Sequence, residues 1–133
     1  MKKILFFLIA MNISLFAYTD IDKKEMINMV KSGMLLIDIR TEPEWIHTGI
    51  YPHSKTLTFF KQNGNIHIHS FISKLRAMMK SENDPFILIC NSGNRSSVAA
   101  KILEEAGFKN VYNKIDGILD LQKELEPYSQ VAF

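Results

Sequence analysis

Two near-continuous apolar runs constrain the fold of this chain more than any other feature. They are "MLLIDI", residues 34–39, and "PFILIC", residues 85–90. Each has the length of one strand and is apolar at nearly every position, as expected of a parallel strand covered on both faces. Helical patterns stand between and around the two runs. The chain is therefore predicted to be α/β, with a mostly parallel five-stranded sheet and helices on both faces.

Capping patterns and glycines mark the helices. Asp22 with Glu25 forms a capping-box pattern that starts a helix ending near Gly33, and Thr41 with Glu44 starts a second, shorter helix. Further helices are predicted around residues 71–79, 96–107 and 117–124, and weaker strands at 55–59 and 110–113.

The first 17 residues form a separate segment. Lys2 and Lys3 precede an apolar run from Ile4 to Phe16, and the small Ala17 follows at the cleavage point, as in a secretory signal peptide. The run is shorter than the roughly 20 residues of a membrane-spanning helix, although an uncleaved anchor is the alternative. We expect residues 1–17 to be removed and residues 18–133 to form one folded domain. The mature protein is then periplasmic or secreted, with no stable membrane insertion.

The charge of the chain comes from this leader. Residues 1–17 contain two lysines and no acidic residue, so 16 basic against 14 acidic residues become 14 against 14 after cleavage. A neutral domain without a dense basic cluster has no electrostatic footprint for nucleic acid. We therefore expect no nucleic-acid partner.

The single cysteine, Cys90, has three possible roles. It cannot close an internal disulfide, so it is an inert core residue, half of an intermolecular bridge, or a reactive thiol. Composition alone does not decide between them, because buried free cysteines are common.

The residues after Cys90 favour the reactive thiol. A buried strand runs directly into a helix through a short loop containing Gly93, so that several backbone amides can point inward. The helix beginning near Ser96 adds unpaired amides and the positive end of its dipole. The loop is thus predicted to be an anion cradle, in which the amides and Arg95 favour the thiolate over the thiol.

The loop "CNSGNR", residues 90–95, resembles the active-site loop of rhodanese-like sulfurtransferases. "LIDIRTEPEW" looks like the strand and acidic helix start of that family, and "GFKNVYNKIDGILD" is similar to its closing segment. The resemblance covers roughly residues 20–125, with the three blocks in the family's order. It implies a single rhodanese-like domain.

The resemblance also implies an activity. Cys90 would take a sulfane sulfur from a small-molecule donor such as thiosulfate or a persulfide and hold it as a persulfide. A thiol, cyanide or a protein would then accept the sulfur, without a metal or organic cofactor. Arg95 would contact an anionic donor or tie the loop to the domain. The loop amides would bind the sulfur anion; they belong to Asn91, Ser92, Gly93, Asn94, Arg95 and Ser96.

Two other functions remain open. Cysteine phosphatases place five residues between Cys and Arg, whereas four stand here, so a phosphate or arsenate would find the cradle too small. A non-catalytic binding or redox-sensing module is the other alternative, because an exposed reactive thiol in an oxidising compartment forms sulfenic acid and mixed disulfides.

Several charged residues near the predicted site have architectural interpretations. Arg40 is expected to meet Glu44 in the following helix, and Asp38 to position backbone amides near the Cys90 loop. Asp116 stands where the family often has a second glycine before Gly117. Its carboxylate would oppose the thiolate and reject anionic donors, which puts the use of thiosulfate in doubt.

The remaining candidates have weaker patterns. His67 and His69 alternate as on one face of a strand, but two histidines without a third ligand do not predict a metal site. The aromatic residues are expected to lie in the core rather than at an apolar rim; they are Trp45, Phe59 and Phe60.

Overall fold

The computed structural model describes residues 17–129, so the predicted signal peptide lies almost entirely outside the described residues. The elements are β1 (Thr19–Ile21), α1 (Lys23–Lys31), β2 (Leu35–Asp38), α2 (Glu42–Thr48), β3 (Lys55–Thr56), α3 (Ile68–Met78), β4 (Phe86–Ile89), α4 (Asn94–Glu105) and β5 (Val111–Lys114). Within residues 17–129, no helix has the length and apolar character needed to cross a bilayer.

The five strands form one sheet in the order β1-β5-β4-β2-β3, and all neighbouring pairs are parallel. This confirms the predicted α/β class. The two apolar runs become the adjacent strands β2 and β4, with Leu36 opposite Ile87 and Asp38 opposite Ile89. β4 is the central strand, and Cys90 follows it directly. The cysteine therefore lies at the carboxyl edge of the sheet, where α/β folds place their ligand sites.

Both faces of the sheet are covered. Alternate residues of each strand point to opposite faces, so Leu36 and Ile87 belong to one core and Ile37 and Leu88 to the other. The first core includes Met26 of α1 together with Ile118 and Leu121. The second includes residues of α3 and α4; they are Phe71, Leu75, Ala99, Ala100 and Leu103. This two-sided burial explains why β4 is apolar at every position and β2 at every position except Asp38.

The capping pattern at α1 forms as predicted. The Asp22 carboxylate accepts the Glu25 amide at 2.9 Å, and the Glu25 carboxylate accepts the Asp22 amide at 3.3 Å. The start of α4 differs from the prediction, because the helix begins at Asn94, two residues before Ser96. Gly93 is its N-cap, so the Cys90 loop is shorter and more of it belongs to the helix.

The helix predicted at residues 117–124 is wrong. The segment forms successive turns, with Leu121 N donating to Ile118 O and Glu124 N to Leu121 O. The start of the segment is bonded to the cysteine loop, because Ile118 N donates to the carbonyls of Cys90 at 3.0 Å and Asn91 at 3.1 Å. Asp116 at φ 60° and Gly117 at φ 51° are left-handed, so the backbone enters the segment in a conformation that does not lead into a regular right-handed helix.

Two edge strands also differ from the prediction. β1 was not predicted, because three residues with two polar side chains are too short for a periodic pattern. It is held by its pairing with β5. β3 is shorter than residues 55–59, although Leu57 N and Phe59 N still donate to the carbonyls of Asp38 and Ile39.

Candidate active site

The Cys90 thiol is buried and faces the first turn of α4. Its Sγ accepts the backbone amides of Gly93 at 3.1 Å and Ser96 at 3.4 Å. The side chain is 0% exposed in this conformation. Two backbone donors and a helix N-terminus thus converge on one sulfur, which is the arrangement that stabilises a sulfur anion.

Gly93 is required by the shape of the loop. It has φ 95° and ψ −8°, the left-handed conformation that glycine adopts without steric cost. A Cβ at this position would also lie 3.2 Å from Asp116 N and 3.6 Å from Lys114 O. The left-handed turn directs the Gly93 amide back toward Cys90, so the same residue shapes the cradle and supplies one of its donors.

The other predicted loop residues have different positions. Asn94 and Arg95 occupy the first turn of α4, where helix geometry offers their amides no intrahelical carbonyl. Asn91 is half-buried, and Ser92 is exposed at the outer side of the loop. The amides that contact Sγ are therefore those of Gly93 and Ser96, and the amides of α4 lie beside them.

A chain of polar side chains leads away from the thiol. Ser96 Oγ lies 3.3 Å from Cys90 Sγ and 2.5 Å from Asn113 Oδ1. Asn113 Nδ2 donates in turn to Asp20 Oδ1 at 2.9 Å. The Ser96 hydroxyl has one proton, and its short contact with Asn113 places that proton on the asparagine side, so that Oγ accepts from a protonated Cys90.

Arg95 is bound by Glu44 of α2. Arg95 Nη1 and Nη2 donate to Glu44 Oε1 and Oε2, both at 2.7 Å, and each side chain is 32% exposed. The hydrogen bonds from Arg95, with smaller contributions from Thr41, lower the pKa of Glu44 to about 2 against the opposing effect of burial. The pair raises the pKa of Arg95. Arg95 thus links the cysteine loop to α2, and the Glu44 carboxylate neutralises its charge.

A turn behind the loop supports the cradle. A Cβ on Gly117 would lie 2.3 Å from Cys90 O and 2.4 Å from Asn91 O, so only glycine fits there. Lys114 is fully buried, and its Nζ donates to the carbonyls of Ile115 and Gly117 and to Asp120 at 2.8 Å. The lysine therefore fastens the turn against which the cysteine loop packs.

A model of the rhodanese-like domain matches residues 22–124. The chain belongs to the rhodanese-like domain family. It is 30% identical over 93 residues to an uncharacterised protein of Rickettsia prowazekii, covering 67% of this chain and 72% of that one. It is 40% identical over 57 residues to a Bacillus subtilis protein whose name gives it a provisional role as a sulfur carrier protein; the match covers 43% of this chain and 31% of the relative.

The fold is shared with solved rhodanese-like structures. The crystal structure of a rhodanese-like domain protein from Staphylococcus aureus superposes with a TM-score of 0.65 at 21% identity, covering 84% of this chain and 99% of that one. The predicted family and its fold are therefore confirmed.

The ion pair predicted at Arg40 is wrong. Arg40 does not pair with Glu44; it donates to Asp38 at 2.7 Å, and also to Thr48 Oγ1 and the Gly49 carbonyl. Asp38 accepts the amide of Arg40 rather than amides of the cysteine loop. The reason is geometric, because Asp38 ends β2 beside Arg40 whereas Arg95 occupies the Glu44 carboxylate. Arg40 is nonetheless architectural, as expected for this rhodanese-like domain.

The departures from the family pattern have local consequences. Asp116 adopts φ 60°, a left-handed conformation that the glycine it replaces would hold without strain. Its side chain is exposed, and its backbone lies against Gly93. Leu121, which follows this turn, is fully buried in the core that contains α1.

The other residues considered from sequence lie outside the thiol site. His67 precedes α3 and His69 lies in its first turn, so they do not share a strand face. Among residues 17–129, no group of three His, Cys, Asp or Glu side chains is placed to hold a metal ion. The aromatic residues are in or against the core, as expected: Trp45 and Phe59 are buried, and the half-buried Phe60 packs against Phe59.

Asn113 and Lys114 were missed by reasoning from sequence. Both belong to β5, and both are buried. The available signal was the polarity of "NK" at the end of a short strand near the carboxyl edge of the sheet. A buried polar residue requires a partner, so the pair indicated a hydrogen-bonded site whose partners the sequence does not identify.

Proposed function

We propose that this rhodanese-like domain is a sulfurtransferase that carries a sulfane sulfur as a persulfide on Cys90. The observation that supports the proposal is the convergence of the Gly93 and Ser96 amides on Sγ at the N-terminus of α4. Such preorganised donors stabilise negative charge on sulfur both in the attacking thiolate and in the persulfide.

The first half-reaction loads the cysteine. The Cys90 thiolate attacks the terminal sulfur of a donor R–S–SH, a new S–S bond forms, and the thiolate R–S⁻ leaves with the electron pair of the broken bond. With thiosulfate as donor, sulfite leaves in the same way. When Cys90 loses its proton, the Ser96 hydroxyl can rotate over its 3.3 Å contact and donate to Sγ, which adds a third donor to the two amides.

The second half-reaction empties the cysteine. An acceptor thiolate R′–S⁻ attacks the outer sulfur of Cys90–S–SH, forms R′–S–SH and releases the Cys90 thiolate. Cyanide takes the sulfur as thiocyanate by the same displacement. Since Cys90 is the only cysteine of the chain, the persulfide has no internal thiol to resolve it. The acceptor is therefore a separate small molecule or protein.

The second candidate function is a binding or redox-sensing module without turnover. The complete burial of Cys90 favours the absence of turnover, because solvent does not reach the thiol in this conformation. Redox sensing, like sulfur transfer, would need the thiol to become accessible. Sulfur transfer requires Sγ to become accessible by rearrangement of residues 91–95. Ser92 and Asn94 are the exposed residues of this segment, and the buried Gly93 between them has the backbone freedom of glycine.

Intact mass spectrometry separates the two functions. The purified protein and Cys90→Ser are measured before and after thiosulfate, a thiosulfonate and a persulfide. A sulfurtransferase gains the mass of one sulfur, loses it to cyanide, and shows neither change in the variant. Mixed-disulfide formation without sulfur gain from any donor would instead establish the redox or binding module.

We also propose that the protein acts outside the cytoplasm. The support is the pattern of residues 1–17, with its two lysines and apolar run. The mass of the protein recovered from a secreting bacterial host tests this. Loss of residues 1–17 supports export and cleavage, whereas recovery of the intact chain from the cytosol contradicts both.

A further inference from the structure

The charges around Cys90 are balanced in an unusual way for a site that receives an anion. The loop 90–96 contains one cation, Arg95, and both of its terminal nitrogens are bound by the Glu44 carboxylate. The pair has no net charge. Backbone dipoles at the sulfur therefore supply the attraction for an anion, and no free cationic side chain of the loop assists them.

The neighbouring charges do not restore a positive field. Arg40 is neutralised by Asp38 at 2.7 Å, and both are buried. Asp116, whose backbone lies against Gly93, adds a further carboxylate on an exposed side chain, and within residues 17–129 it forms no ion pair. With the Lys114–Asp120 pair behind the loop and Asp20 beside Asn113, the groups named around the site are three cations and five carboxylates.

The number of negative charges on a sulfur donor therefore determines how readily it binds at Cys90. Thiosulfate carries two negative charges and releases sulfite, which also carries two. A persulfide of a neutral thiol carries at most one and releases a monoanionic thiolate. The amides at Sγ can stabilise a single charge on sulfur, but the negative balance around them opposes a second one.

We infer that the Glu44–Arg95 ion pair makes Cys90 selective against doubly charged sulfur donors, so that its donor is a thiol persulfide rather than thiosulfate. Glu44 is then a specificity-determining residue, which acts on the donor through Arg95. This inference rests on the proposed function for the identity of the donor. The charge selectivity of the thiol itself does not depend on sulfur transfer.

Glu44→Gln is the variant that tests the inference. Glutamine retains the helix cap, because its amide oxygen still accepts from the Thr41 amide as glutamate does at 3.3 Å. The change removes the charge that neutralises Arg95. Glu42→Gln is the matched control: it removes an exposed carboxylate from the same turn of α2, and Glu42 does not contact Arg95.

The first measurement is independent of sulfur transfer. Cys90 is alkylated with neutral iodoacetamide and with anionic iodoacetate, and each rate is divided by that of the same protein unfolded in urea. We expect the folded wild type to favour iodoacetamide, Glu44→Gln to reduce that preference about tenfold, and Glu42→Gln to leave it within about twofold. Equal preferences in the wild type and both variants would overturn the inference.

The second measurement identifies the donor. Sulfur loading of Cys90 is followed by mass with thiosulfate and with the persulfide of 2-mercaptoethanol. The wild type should load faster from the persulfide, and Glu44→Gln should gain about tenfold with thiosulfate while changing little with the persulfide. Faster loading of the wild type from thiosulfate overturns the donor assignment. Loading from neither donor defeats the proposed function and the donor assignment together, while the alkylation result still decides the charge selectivity.

Discussion

Arg40 and Arg95 follow neighbouring strands of the same sheet, and each forms an ion pair, but the two pairs differ in their surroundings. Arg40 is fully buried and donates to Asp38, Thr48 and Gly49. Arg95 has one side-chain partner in the structure, Glu44, and both are 32% exposed. The first pair is part of the core, whereas the second lies beside the thiol in contact with solvent.

The comparison separates a pair that stabilises the fold from a pair that sets the electrostatic field near the thiol. A buried pair cannot lose one partner without leaving a charge in a poorly solvated site, so substitution at Asp38 or Arg40 threatens the fold. A half-exposed pair is screened by water, so substitution at Glu44 changes the local field at small cost in stability. We therefore expect stability to depend on the Arg40 pair and selectivity on the Arg95 pair.

Arg40→Met should have the largest effect on stability. It leaves the Asp38 carboxylate buried without its guanidinium, with Trp45 Nε1 at 3.0 Å as its remaining side-chain donor. The expected loss in the free energy of unfolding is about 3–5 kcal/mol, measured by urea denaturation at pH 7.

Arg76→Met is the control for Arg40→Met. Arg76 pairs with Glu82 at the surface, where the side chains are 51% and 72% exposed, and its loss should be below about 1 kcal/mol. Equal losses in the two variants would contradict the distinction between buried and exposed pairs.

Lys114→Met should have an intermediate effect, because its pair is buried at one end only. Lys114 is 0% exposed and Asp120 is 39% exposed. Without the lysine, Asp120 can turn to water, but the carbonyls of Ile115 and Gly117 lose a donor. The expected loss is about 1–3 kcal/mol in urea denaturation.

Asp120→Asn separates the carbonyl contacts of Lys114 from its ion pair. The variant keeps both carbonyl bonds and should lose less than about 1 kcal/mol. If it loses as much as Lys114→Met, the ion pair rather than the carbonyl contacts stabilises the turn, and our account of that turn is wrong.

Local patterns in the sequence were sufficient to predict the two central strands, the start of α1 and the position of Cys90. The apolar runs at 34–39 and 85–90 became the two adjacent central strands, and the Asp22 capping box formed. The position of Cys90 at the end of β4 followed from the same pattern. These features depend on residues close together in the chain, where periodicity and capping rules operate.

The errors concern partners distant in the chain. Arg40 lies four residues from Glu44, yet Arg95, 51 residues away, takes that carboxylate. The final segment was predicted to be a helix, but it forms turns, and the Ile118 amide donates to the carbonyl of Cys90, which is distant in the chain. Asn113 lies 17 residues from Ser96 and shares its hydroxyl. Which of several polar residues pair is determined by the packed strands, not by the spacing of residues along the chain.

The smallest expected effect on stability is the pH-dependent contribution of the Glu44 carboxylate. The pKa of Glu44 is lowered from 4.5 to about 2 by the hydrogen bonds from Arg95 and, to a smaller extent, Thr41. A carboxylate with a lowered pKa in the folded state stabilises the fold above its unfolded pKa, and this contribution disappears as the pH falls from about 4.5 toward 2.

Because the Glu44–Arg95 pair is partly exposed, we expect a difference of about 1 kcal/mol in the free energy of unfolding between the wild type and Glu44→Gln at pH 7. Urea denaturation at pH values between 7 and 2.5 should show this difference shrinking below about pH 4.5, whereas Glu42→Gln should show little difference at any pH. A gap that persists or widens in acid would mean that the stabilisation by Glu44 does not come from its ionised pair with Arg95, and the assignment of the pH dependence to this pair would be wrong.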